Sequence, residues 1–66
     1  MMRNTIRTIR LSRGISQEVL ADNVGVTRQT IISLEKERYN PSLELGFKIA
    51  RFFKIGVEEM FSYEPG

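Results

Sequence analysis

An all-α fold of five short helices is what this chain predicts, on three observations. Apolar residues recur at three- and four-residue spacing, with no alternating run of strand length. Ser and Thr stand just before the apolar segments at positions 16, 27 and 42. Gly14, Gly25 and Gly56 fall between segments, where helices stop. The chain has 66 residues, so residues 1–66 are read as one domain.

The first helix is expected over Asn4 to Arg13, with Ile6 and Ile9 inward and Gly14 as its stop. Arg3, Arg7 and Arg10 then fall on one stripe, read as a solvated surface or a phosphate-binding face. Ser16 caps a second helix, Gln17 to Val24, with Leu20, Ala21 and Val24 inward. After Gly25, Thr27 caps a third helix from Arg28 to about Lys36, anchored by Ile31 and Leu34. Asn40 precedes Pro41 and is biased to extended backbone, so the chain turns there. Ser42 caps a fourth helix, Leu43 to Phe53, whose polar residues Glu44, Lys48 and Arg51 form one stripe. Its remaining surface is apolar nearly all round, which calls for burial in the core or against a second subunit. A fifth helix is expected over Val57 to Phe61, followed by a loose tail at 62–66.

Composition excludes several kinds of chemistry. There is no Cys and no His, hence no disulfide framework, no thiolate, no conventional zinc site and no His-based proton transfer. Ser16, Thr27 and Ser42 have no base to activate them and read as caps, so no enzyme, metal or cofactor is expected. No apolar run reaches the 18 or so residues of a membrane span, and no signal-peptide run follows the start, so a cytoplasmic location is expected. The net charge is +2, unevenly spread. Residues 1–40 hold seven Lys and Arg against four Asp and Glu, giving +3, whereas residues 41–66 hold three against four, giving −1. An anionic partner for the front half, with core and subunit contacts in the back half, fits that division.

The informative stretch is 16–36: two capped helices joined by the tight turn Asn23-Val24-Gly25-Val26, the arrangement of a helix-turn-helix. The second of these helices opens with Arg28 and Gln29, whose fork and carboxamide match the major-groove edges of guanine and adenine. Ser33 shares the outward side, and Ile32 lies close enough to meet a thymine methyl. A helix start with free N–H groups suits a phosphate, which places Ser16 and Gln17 on the DNA backbone, with Thr27 in the same class. Lys36, Arg38, Tyr39 and Asn40 in the next loop are further phosphate donors.

The run from Ile15 through Ala21, the Gly25-Val26-Thr27-Arg28-Gln29-Thr30-Ile31 segment, Leu34-Glu35, and Tyr39-Asn40-Pro41-Ser42-Leu43 together resemble the Cro and lambda-repressor type helix-turn-helix family. The resemblance spans about residues 3 to 61. It implies a lambda-repressor-like domain of five helices, acting as a homodimer on a pseudo-palindromic operator in double-stranded DNA, most simply as a repressor. It implies base-edge roles for Arg28, Gln29 and Ser33 with Ile32 alongside, and backbone roles for Gln17, Arg38 and Asn40. It also implies an internal pair between Arg10 and Glu35. Three positions depart from the family pattern: Val19 for an acidic residue, Glu37 for a glycine, and Ile32 for a small polar residue. Phe47, Phe52, Met60, Phe61 and Tyr63 exceed what a small core needs; core packing is expected for most of them, with Met60, Phe61 and Tyr63 expected at the dimer interface. A rival reading is an antitoxin or other protein-interaction module that autoregulates its own operon. Its favouring feature, a long extra segment to wrap a partner, is not in these residues.

Overall fold

The computed structural model describes residues 2–38 and 40–65. Five helices are present: α1 (Ile6–Ser12), α2 (Gln17–Val24), α3 (Arg28–Glu35), α4 (Leu43–Phe53) and α5 (Val57–Met60). The all-α expectation needs correction, because two short strands, β1 (Met2–Asn4) and β2 (Phe61–Tyr63), pair antiparallel and join the two ends of the chain. Their register is Met2 with Tyr63, Arg3 with Ser62 and Asn4 with Phe61. Three-residue strands are too short to show alternation, and their pairing is set by where α5 returns the chain.

The sheet revises both ends of the sequence reading. Ser62 and Tyr63 are paired rather than loose. Helix α1 begins at Ile6, not Asn4, because Asn4 is a strand residue whose Oδ1 accepts the Ile6 N–H at 3.2 Å. Arg3 therefore leaves the helical stripe. It pairs with Glu37 at 3.0 Å and with Glu64 at 3.5 Å.

The hydroxyl caps form as expected. Ser16 Oγ accepts the Val19 N–H, Thr27 Oγ1 the Thr30 N–H, and Ser42 Oγ the Leu45 N–H, at 3.1, 3.3 and 3.1 Å. Each satisfies a donor that the helix leaves without a partner, a stabilisation of about 1 kcal/mol. Gly25 closes α2 with φ 76°, a left-handed conformation that a side chain would strain. The Val26 N–H then folds back onto Ala21 O at 3.0 Å, which makes the turn into α3 tight.

The core gathers Ile6 from α1, Leu20 from α2, Ile31 and Leu34 from α3, Ile49 and Phe53 from α4, and Met60 from α5. Helix α4 runs through its middle, against α2 on one side and α5 on the other. Arg13 closes its end. The guanidinium donates to Phe53 O at 2.5 Å and lies 5.5 Å from the centre of the Phe53 ring. Arg13 is thereby held at the C-terminus of α4, and not only at that of its own helix.

Met60 and Phe61, expected at a dimer interface, lie inside the single chain. They are 1% and 7% exposed in the single chain, spent on its own core. The Phe61 ring occupies the space beside Gly46, where a Cβ would stand 3.6 Å from the ring edge. Tyr63 alone of the three expected contacts is exposed.

Glu37 takes φ 58°, the left-handed region where the family pattern has glycine. Its carboxylate accepts the Asn4 N–H at 2.8 Å and pairs with Arg3, and Asn4 Nδ2 donates to Leu34 O at 2.9 Å. The end of α3 is thus tied to β1. Left-handed backbone costs roughly 1–2 kcal/mol for a residue with a side chain, while a hydrogen bond to a charged group returns about 1.5–3 kcal/mol. Glu37→Ala keeps the strain and loses the carboxylate, whereas Glu37→Gly loses both. Thermal unfolding is expected to rank Glu37→Ala below Glu37→Gly, by roughly 1–2 kcal/mol. Equal melting points would show that the conformation carries no strain.

Candidate nucleic-acid interface

Helix α3 turns Ile31 and Leu34 fully inward, which leaves its opposite side for solvent. Arg28 and Gln29 at its start are exposed. Ser33 and Ile32 are half-buried, so they offer shorter reach than the two leading residues. Thr27 joins its hydroxyl to that of Thr30 at 3.1 Å in addition to capping the helix. The first turn of α3 is therefore built to hold its geometry with no charged partner for Arg28 among the described residues.

Beneath this helix lies an ion pair. Arg10 Nε and Nη2 donate to Glu35 Oε2 and Oε1 at 2.7 and 3.0 Å, a two-point contact between side chains 8% and 3% exposed. Arg10 Nη1 also donates to Ile15 O at 3.0 Å, in the segment leading to α2. Donation to the Glu35 carboxylate raises the Arg10 pKa above its ordinary value against the opposing effect of burial. This is the internal pair that the family resemblance implies.

Gln17 meets the same carboxylate. Its Nε2 donates to Glu35 Oε1 at 3.2 Å, which occupies one amide hydrogen and leaves the other for a partner outside. The pair therefore fixes the orientation of a side chain at the start of α2. Ser16, Gln17, Arg28 and Arg7 line one open cleft, with Arg10 and Glu18 completing its wall. Arg7 and Arg28 make no ion pair with a described residue, so their charge faces the cleft uncompensated except by Glu18. Lys36, Arg38 and Asn40 are exposed beyond the other end of α3. Tyr39 lies outside the described residues.

Of the sequence-derived candidates, Ser16, Gln17 and Arg28 share one cleft, whereas Lys36, Arg38 and Asn40 follow the C-terminal end of α3 and do not line it. Arg3 and Arg13 are not among them, since both are committed to internal partners. Asn4 and Glu37 hold the end of α3; Glu37 is marked in the sequence only as a departure from the family's glycine, and Asn4 by no pattern. Arg7 is the arginine of the early stripe that remains available.

The family model for helix-turn-helix proteins matches residues 6–60. The chain belongs to the Cro/C1-type helix-turn-helix family. A transcriptional regulator of Methanothermobacter thermautotrophicus is 62% identical over 61 residues, covering 91% of this chain and 88% of its own length. The cryptic phage CTXphi transcriptional repressor RstR of Vibrio cholerae is 34% identical over 62 residues, covering 94% of this chain and 56% of the repressor. The crystal structure of the restriction-modification controller protein C.AhdI from Aeromonas hydrophila superposes with a TM-score of 0.76 at 33% identity, over 82% of both chains. Helix-turn-helix proteins of this kind are DNA-binding transcriptional regulators and not enzymes. Among the described residues no helix is long and apolar enough to cross a membrane.

Proposed function

We propose that the chain is a sequence-specific repressor that binds a pseudo-palindromic operator as a homodimer in the cytoplasm. The observation that carries this reading is the exposed Arg28-Gln29 edge at the capped start of a helix whose other side is locked into the core. A helix presented in this way enters the major groove with its first residues on base edges. Arg28 fits guanine O6 and N7, and Gln29 fits adenine N6 and N7. Ser33 and Ile32 take lesser roles at flanking positions, Ile32 through a thymine methyl. Ser16, Gln17 and Thr27 at the helix starts and Lys36, Arg38 and Asn40 in the following loop contact phosphates, joined by Arg7 in the cleft. Such contacts set affinity and its dependence on salt, while base contacts set sequence. The likeness to a phage repressor favours repression.

Selection of bound duplexes from a random pool at fixed salt tests this reading. A consensus with mirrored half-sites, centred about 34–36 Å apart, is the expected result. Recovery of no consensus would overturn it. Gln17→Ala is expected to weaken binding by a similar factor on the selected site and on scrambled duplexes, as the loss of a phosphate contact does. Loss of discrimination instead would move Gln17 into base reading.

A further inference from the structure

Arg3 on β1 and Glu37 beyond α3 are distant in sequence and adjacent in the fold. Arg3 Nε lies 3.0 Å from Glu37 Oε1, and the Asn4 N–H donates to Glu37 Oε2 at 2.8 Å. One strand thus engages both carboxylate oxygens. The backbone around Glu37 is fixed as well. Its N–H donates to Leu34 O at 2.9 Å and that of Arg38 to Ser33 O at 3.1 Å, the paired closure of a helix that ends on a left-handed residue. Lys36 and Arg38, the cations on either side, are exposed, whereas the Glu37 side chain is 21% exposed. The loop therefore shows its positive charges to solvent and turns its negative charge to the sheet.

We propose that Arg3 is a positioning residue for DNA binding: it holds and neutralises the Glu37 carboxylate, and so keeps a negative charge off the phosphates met by Lys36 and Arg38. The inference rests on the phosphate reading of this loop given above. Consecutive Cα atoms stand about 3.8 Å apart, well inside the Debye length of about 10 Å at 0.1 M salt. A bare carboxylate between the two cations is thus incompletely screened from a phosphate held by either. Where the family pattern has glycine, this chain carries a charge to cancel, and the terminal sheet supplies the cancelling cation.

Its surroundings give Arg3 this indirect role rather than a phosphate of its own. Its Nη1 lies 3.5 Å from Glu64 Oε2, so carboxylates face it from the loop and from just beyond β2. Glu59 lines the same hollow, and among the described residues lining it Arg3 is the one cation. No second basic residue of the hollow stands ready to replace it. Without Arg3, Glu37 keeps the Asn4 N–H as its remaining hydrogen-bond donor among the described residues, with the charge uncancelled on that side. The backbone tie and the charge can therefore be varied separately.

A double-mutant cycle read by duplex titration of the full chain tests this. Arg3→Ala is expected to weaken binding to selected and scrambled duplexes alike, by about threefold or more at low salt. Arg3→Gln, which removes the charge but keeps a donor, is expected to behave the same way. Arg3→Lys keeps a cation on the strand and is expected to recover most of the loss. Glu37→Gln retains an acceptor for the Asn4 N–H and is expected to bind no more weakly than the parent. In that background Arg3→Ala is expected to change affinity by less than about twofold. The coupling is expected to shrink as salt is raised, which the loss of a merely structural tie would not do. Thermal unfolding verifies that each variant is folded at the titration temperature. Equal weakening by Arg3→Ala with and without the Glu37 carboxylate would overturn the proposal and make Arg3 a direct phosphate contact. Weakening by Glu37→Gln as large as that by Arg3→Ala would overturn it too, since a structural tie fails from either side. Lys36→Ala and Arg38→Ala test the underlying reading. If neither weakens binding, the loop does not meet phosphate and that reading falls, with this inference. If either does and the cycle shows no coupling, this inference alone falls.

Discussion

Arg10→Ala is expected to destabilise the domain by about 3–5 kcal/mol, the usual consequence of stranding one half of a buried ion pair. The variant leaves the Glu35 side chain, 3% exposed, with the Gln17 amide as its remaining side-chain donor among the described residues, and leaves Ile15 O without its guanidinium. A chain of this size is stable by roughly 3–10 kcal/mol in total, so the loss removes most of the folded population on warming. Urea or thermal unfolding measures it, at about 4–8 °C per kcal/mol. Arg10→Met combined with Glu35→Leu is expected to recover most of that stability, because neither charge is then buried. The double variant also removes the carboxylate that orients Gln17. DNA binding is therefore expected to fall on all sequences alike even where folding is restored. A loss below about 1 kcal/mol for Arg10→Ala would show that the pair is solvated in practice, as exposed pairs are.

Arg28→Ala is expected to weaken binding to the selected operator by about 1–3 kcal/mol per half-site and to relax one base position in each. Both effects follow from deleting a two-point hydrogen-bonding group at the exposed start of α3. On a two-fold operator the loss occurs twice, so the measured affinity falls further than in a half-site assay. Arg28→Lys is expected to restore attraction to DNA without restoring the base preference, since an ammonium lacks the planar fork. Parallel titrations on selected and scrambled duplexes separate the cases. Equal weakening on both would place Arg28 with the phosphate contacts and transfer sequence choice to Gln29 and Ser33.

Local chemistry explains which parts of the molecule could be read from the sequence. The segment from Ser16 to Glu35 was legible because each boundary has its own signal: a hydroxyl at each start, Gly25 at the turn, and apolar pairs at helical spacing. These are short-range effects, and the structure reproduces them with caps at 3.1 and 3.3 Å. The sheet was not legible, because its residues lie about sixty positions apart and form too short a strand to pattern. Missing it moved the start of α1 and put Arg3 in the wrong neighbourhood. It also exchanged the roles of two sets of apolar residues. The return of β2 brings Phe61 over Gly46 and into the core, which leaves Leu43 and Phe47 outside. A periodicity argument counts the apolar surplus of α4 and α5 correctly but cannot assign it to a face without the tertiary path. Glu37 is a further case. Its backbone conformation favours glycine, and what offsets the strain is Asn4, thirty-three residues away.

The start of α3 is proposed to lie in the major groove. Chemical-shift mapping of the amide resonances during titration with the selected duplex tests it most directly. The largest changes are expected at Arg28, Gln29 and Ser33, smaller ones at Gln17 and in residues 36–40, and none of comparable size at Arg3 or Arg13. Changes concentrated on the sheet and α4, with α3 left unperturbed, would contradict it.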